Sequence, residues 1–127
     1  MHHTYAFEIQ PDDTDCLGYV SHAAYLKWVQ DAVVAYWRTV APKEVVLRYL
    51  WVALKHQISY LRPALPDEII VAEVRANHAR GARAQFSTLF MRGEEVLTNV
   101  LSSWCCMDST SRRPTRPPRQ VIRLFLT

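Results

Sequence analysis

Apolar side chains recur at Leu26, Val29, Val33, Trp37 and Val40, in steps of three and four residues, while Lys27, Gln30, Asp31 and Arg38 stand between them. That period is the stripe of an amphipathic α-helix and predicts one from His22 to about Val40. Ser21 stands where an N-cap belongs, and Lys27 with Asp31 makes an i,i+4 charge pair in its weaker orientation. Pro42 ends the helix or opens a short second turn through Lys43 to Tyr49.

Elsewhere the period is two. Thr4 to Gln10 mixes β-branched and aromatic residues and stops at Pro11, which predicts a first strand. Trp51 to Leu61 alternates loosely and ends at the two-proline turn Arg62-Pro63-Ala64-Leu65-Pro66. Asp67 to Asn77 is a further strand, with Gly81 in the turn that follows. Residues 82–92 place Phe86, Thr88 and Phe90 on one face, Gly93 with Glu94 marks a tight hairpin, and Val96 to Met107 follows. A last short strand is expected at Val121 to Leu126, after a linker rich in proline and arginine.

One strand, one long helix, then four or five antiparallel strands predict an α+β fold in which a curved sheet wraps the helix. With 127 residues, the whole chain, 1–127, suits one domain, since single domains usually run to roughly 100 to 200 residues. Such a sheet keeps exposed edges, so pairing with a second copy is attractive. Four Trp, six Tyr and four Phe fill a core, or line an interface or apolar pocket.

The first residues lack the pattern of a signal peptide, and no apolar run approaches the roughly 20 residues of a transmembrane helix. The expectation is a soluble cytoplasmic protein with no membrane insertion. Cys16, Cys105 and Cys106 are odd in number and lack paired zinc spacing, so neither a disulfide framework nor a metal site is expected. Asp12, Asp13 and Asp15 lack the ligand pattern of a calcium loop. Cys16 has no basic partner to make it a nucleophile, and a small buried thiol is the usual outcome for such a residue. The net charge of +3 is concentrated near the C-terminus in Arg112, Arg113, Arg116, Arg119 and Arg123. That segment suits an anionic carrier group or a solvated surface; no nucleic-acid motif accompanies it.

The chemistry-bearing stretch is Asp13-Thr14-Asp15-Cys16-Leu17-Gly18-Tyr19-Val20-Ser21-His22-Ala23-Ala24-Tyr25. A carboxylate just before a helix start sits beside backbone N–H groups without intrahelical partners, which offers a base or nucleophile together with an electrophile. That combination points to acyl-group chemistry.

The loop DTDCLGYVSHAAYLKW resembles the D-x-D-x-x-G-x-V-x-x-x-x-Y signature of hotdog-fold thioesterases, in the 4-hydroxybenzoyl-CoA thioesterase branch with its tol-pal-associated acyl-CoA relatives. ISYLRPALPDEIIVAEV and VLSSWCCMDSTSRRP resemble later segments of the same branch, so the likeness covers nearly the whole chain. The resemblance implies that Asp15 is the catalytic carboxylate and that the backbone N–H groups of His22 and Ala23 polarise the thioester carbonyl. It also implies that Gly18 and Tyr25 shape the substrate site and that Arg80, Gly81 and Arg83 approach the nucleotide part of CoA. An acyl-CoA or acyl-carrier-protein substrate, no cofactor, and a homodimer or homotetramer with sites shared between subunits are implied as well, in fatty acid or polyketide metabolism. Leu17 and Pro66 depart from the family's usual small residue and glycine, and Asp31 is a rival carboxylate used by another hotdog branch. A non-hydrolytic thioester-binding or scaffold protein and a hotdog dehydratase or hydratase are the alternatives.

Overall fold

Alternation sets the sheet. In the strand Arg83–Arg92 every second residue from Ala84 to Phe90 is buried, so one face is apolar and meets the long helix. The computed structural model describes residues 2–126. In order these form β1 (His2–Glu8), a 3₁₀ turn (Pro11–Asp13), α1 (His22–Val40), α2 (Lys43–Arg48), β2 (Tyr49–Tyr60), β3 (Ile69–Arg80), β4 (Arg83–Arg92), β5 (Glu95–Asp108) and α3 (Arg119–Leu126). The five strands make one antiparallel sheet in the order β1-β3-β4-β5-β2, curved around α1 in the hotdog arrangement. Two-residue turns join the central hairpins, with Gly81 (φ +60°) and Gly93 (φ +61°) supplying the left-handed backbone that such turns need.

The helix starts and stops where the sequence places it. Ser21 is the N-cap, its hydroxyl accepting the Ala24 N–H at 3.2 Å, and Ala41, forced extended by the following Pro42, ends it. Its buried stripe is broader than the one read from the sequence. It runs through Ala24, Tyr25, Trp28, Val29, Ala32, Val33, Tyr36 and Trp37, whereas Leu26 is 40% exposed. A sheet that curls around a helix contacts two adjacent rows of side chains, which moves Leu26 to the rim. Lys27 and Asp31 form no ion pair, both being exposed on the solvent face.

The expected last strand is a helix. Val121 and Phe125, one turn apart, are buried, and the rings of Tyr36 and Trp37 lie 4.7 and 5.5 Å from that of Phe125. The Pro118 carbonyl accepts the N–H groups of Val121 and Ile122, both at 3.1 Å, which starts the turn. Burying two side chains four apart selects the helical period over the β-branched preference of the segment. The other strands match their expected positions to within a few residues.

α1 joins the two outermost strands in sequence and lies lengthwise between them, Trp28 and Tyr36 meeting Phe7 and His3 of β1 while Tyr25 and Trp37 meet Tyr60 and Trp51 of β2. Its N-terminus therefore arrives beside the end of β2, and the loop before it is pinned there. Thr14 bridges to Val20, and the Val20 N–H donates to the Ala64 carbonyl at 3.0 Å.

Candidate active site

The loop from Thr14 to Val20 is built around one carboxylate. Asp15 Oδ1 accepts the N–H groups of Leu17 at 2.8 Å and Tyr19 at 3.2 Å, while the Asp15 N–H donates to the Tyr19 carbonyl at 2.7 Å. This is an Asx turn closed on itself, the arrangement that lets Asp hold a tight bend. Gly18, at φ +81°, takes the left-handed position within it and donates its N–H to the Asp15 carbonyl at 3.1 Å. Oδ1 is thereby committed to the fold, and Oδ2 has no hydrogen-bond partner among the described residues. Asp13 is used differently. Its Oδ2 accepts the Gln10 N–H at 2.8 Å and its carbonyl accepts the Ser21 N–H at 2.7 Å, so it secures the start of the loop.

At the helix start the orphan donors divide in the same way. The Ser21 side chain satisfies Ala24 and the Ser21 carbonyl accepts from Tyr25 at 3.3 Å, which leaves the N–H groups of His22 and Ala23 uncommitted. Both residues are exposed. Two free donors at the positive end of a 19-residue helix, of which His22 shares a cleft with Asp15 while Ala23 is outside its lining, suit a reaction in which charge grows on a carbonyl oxygen.

Asp15, Tyr19, His22, Tyr25, Tyr60 and the Arg62-Pro63-Ala64 turn line a cleft of about 290 Å³. The His22 ring leans on the Tyr60 ring at 4.6 Å, and Tyr25 meets Tyr60 and Phe90 edge-on at 5.7 and 5.1 Å. Tyr25 thus serves as packing and as cleft wall together. Its hydroxyl is buried and lies near the Thr98 hydroxyl without regular hydrogen-bond geometry, so burial dominates and holds the phenol above its ordinary pKa.

Arg80, Gly81 and Arg83 are elsewhere in the chain. They form the β3–β4 turn, at the opposite end of the sheet from Tyr60 and Thr98. The segment after β5 returns to that end, with Thr115 donating to the Cys106 carbonyl and Cys106 to the Ala82 carbonyl, at 2.9 and 2.6 Å. The arginines of the turn and of the C-terminal segment are therefore gathered at one pole, away from Asp15. Asp31 lies on the outer face of α1, in a groove with Tyr5, Gln30 and Arg38, and takes no part in the Asp15 cleft. Cys16 is exposed, contrary to the buried thiol expected, because the Asx turn directs its neighbours outward; Cys105 and Cys106 are buried and free. Among the described residues no group of three or more His, Cys, Asp or Glu side chains converges to hold a metal, and no helix is long and apolar enough to cross a membrane.

Residues 17–98 match the family model described as the thioesterase superfamily. The chain belongs to that superfamily. Asp15 lies two positions ahead of the matched segment. Among relatives of this thioesterase is the acyl-CoA thioesterase YbgC of Haemophilus influenzae, 27% identical over 118 residues that cover 90% of this chain and 87% of the relative. The acyl-CoA thioester hydrolase YbgC of Escherichia coli O6:H1 is 25% identical over 118 residues, covering 90% and 88%. In fold, the thioesterase is similar to a probable thioesterase from Bartonella henselae, with a TM-score of 0.83, 22% identity and coverage of 93% and 100%. A thioesterase from Thermus thermophilus, solved with coenzyme A and Zn, superposes with a TM-score of 0.82 at 22% identity over 97% and 95% of the two chains.

The partners that fix the site carry no local signal in the sequence. The Ala64 carbonyl that anchors Val20 and the Tyr60 ring against His22 come from residues more than 35 positions away, and no local pattern announces them.

Proposed function

We propose that this thioesterase hydrolyses acyl-CoA thioesters at Asp15. The observation that carries the reading is the division of labour in the loop: Oδ1 of Asp15 is tied to two amides while Oδ2 stays free, in a cleft that His22 at the helix start also lines. A thioester carbonyl oxygen seated on the uncommitted N–H groups of His22 and Ala23 has its growing negative charge met by the helix start. Oδ2 then either takes a proton from water as it attacks, or attacks the carbonyl carbon itself to give an anhydride that water opens. A thiolate leaves readily, so no strong general acid is required. Both relatives carry acyl-CoA in their names, which supports that carrier class.

The single chain offers only an open, small cleft, and we infer that a second copy completes it. β2 pairs with β5 alone and so leaves one long edge free, flanked by Leu50, Val52, Leu54, Tyr60 and Leu61, each at least 40% exposed. Antiparallel pairing of two such edges sets the Tyr49 end of one chain beside the Tyr60 end of the other. The arginine pole of the partner then stands next to the cleft, where the anionic half of CoA or an acidic carrier protein would lie. Purified enzyme run over acyl-CoA and acyl-carrier-protein thioesters, with free thiol as the readout, tests the activity, and Asp31→Asn serves as the control that should remain active. Absence of thiol release from every substrate, or a monomer at micromolar concentration, would refute the respective halves of this reading.

A further inference from the structure

The loop that holds Asp15 is itself held by a charge network on the other side of one peptide group. The Ala64 carbonyl accepts the Val20 N–H at 3.0 Å, and the N–H of the same peptide unit, carried by Leu65, donates to Glu68 Oε1 at 2.7 Å. Both Glu68 oxygens are in turn gripped by Arg92 Nη1, at 2.9 and 2.6 Å. Arg92 also pairs with Glu95, and Glu95 with Arg62. The 61–68 segment is thus fastened to the β4–β5 hairpin at both ends, since Leu61 and Arg62 donate their N–H groups to the Leu97 carbonyl at 2.9 and 3.0 Å.

We propose that Glu68 and Arg92 are positioning residues for Asp15, acting through the Ala64–Leu65 peptide and Val20. A peptide group that donates to a carboxylate becomes a stronger acceptor at its own oxygen, because hydrogen bonds in a chain polarise one another. Here the strengthened oxygen is the one that holds Val20, the last residue of the Asp15 loop, next to the Tyr19 amide that binds Asp15 Oδ1. The Glu68 and Arg92 side chains are only 22% and 34% exposed, so water screens their pairing less than it does at an open surface. Neither lines the cleft, which separates this role from substrate contact.

The inference rests on Asp15 as the reacting carboxylate, and its test has a readout that does not. Full-length Glu68→Ala, Glu68→Gln, Arg92→Ala and Arg92→Lys are assayed for thiol release, with hydrogen exchange at the Val20 and Tyr19 amides measured in parallel. Glu68→Ala is expected to lower kcat by about ten- to a hundredfold with KM little changed, the size expected when a reacting group is misplaced by up to about 1 Å. Glu68→Gln keeps an acceptor for Leu65 and recovers part of the loss, and Arg92→Lys recovers part of that in Arg92→Ala. The Val20 amide exchanges faster in the order of the kcat losses. Wild-type kcat in Glu68→Ala overturns the proposal, as does a lowered kcat with Val20 exchange unmoved. If the wild type releases no thiol, the functional reading fails while the exchange data still decide whether Glu68 holds the loop.

Discussion

Replacing Asp15 in two ways separates its proposed chemistry from its structural duty. In Asp15→Asn the side-chain oxygen still accepts the Leu17 and Tyr19 N–H groups now bound at 2.8 and 3.2 Å, so the loop keeps its shape. What disappears is the charge and basicity of the second oxygen. Removing a general base costs about 10²- to 10⁴-fold in rate, or about 3–5 kcal/mol of transition-state stabilisation. Asp15→Ala loses the same chemistry and both hydrogen bonds. For an exposed pair those are worth about 1–2 kcal/mol together, which lowers Tm by about 3–8 °C in a chain of this size. Steady-state thiol release and calorimetry on both variants give the comparison. Both should be catalytically crippled, and only the alanine variant should melt early. An asparagine variant that retains more than about a tenth of wild-type kcat, a loss of less than about 1.4 kcal/mol, would remove Asp15 from the chemical step. Equal Tm losses in the two would show that the loop does not depend on Oδ1.

Phe125→Ala removes a buried ring packed on Tyr36 and Trp37 and should cost about 3–5 kcal/mol, seen as a Tm drop of about 10 °C or more. An unchanged Tm would mean that α3 does not dock. A thiol reagent at neutral pH should modify Cys16 quickly and leave Cys105 and Cys106 untouched until the chain unfolds, and rapid reaction of a second thiol would contradict their burial. Burial pushes the Cys106 thiol up to about 12 and lifts Tyr25 and Tyr36 above their ordinary value. The unfolded chain therefore loses these protons first, and stability present below about pH 8.5 should fall as pH rises through the alkaline range; a flat Tm from about pH 8 to about pH 10.5, which brackets the ordinary thiol and phenol values, would refute it. His56 is held below its usual pKa by burial, with Nδ1 unpartnered against Trp104. The unfolded chain takes that proton first as pH drops through about 6.5. Stability is full above that point and declines below it, a slope that His56→Gln should flatten in urea titrations.

The helix, its Ser21 cap, the glycine turns and the alternating face of β4 were legible because each is a local rule written in neighbouring residues. That Asp15 and His22 at the helix start line one cleft was legible for the same reason, since they lie within one continuous stretch. The last helix was not. Val121 to Leu126 has strand-like composition, and only the gap beneath Tyr36 and Trp37 makes Val121 and Phe125 a helical pair. The exposure of Leu26 depends on how far the sheet curls, and that of Cys16 on a turn built from two backbone hydrogen bonds and two to the Asp15 side chain. The Glu68, Arg92, Glu95 and Arg62 network joins segments as much as 33 positions apart, and charge patterning along a chain carries no trace of such pairings.

The link that α1 makes between opposite edges of the sheet also carries a kinetic consequence. β1 and β2 are joined in sequence through α1 but end on opposite edges, and β1 finds its partner only in β3, with His3 opposite Val74. The β3–β4 and β4–β5 hairpins need closures of two residues each, whereas β1 must wait for a loop of about sixty, between Glu8 and Ile69. Folding is expected to begin in the three-stranded meander and to seat β1, and with it the Asp15 loop, last. Pulse-labelling exchange during refolding should protect the amides of β4 and β5 before those of Tyr5 and Phe7, and simultaneous protection would contradict that order. The end of the molecule that holds the proposed site would then be its youngest part, absent from any collapsed intermediate and completed only when the outer strand arrives.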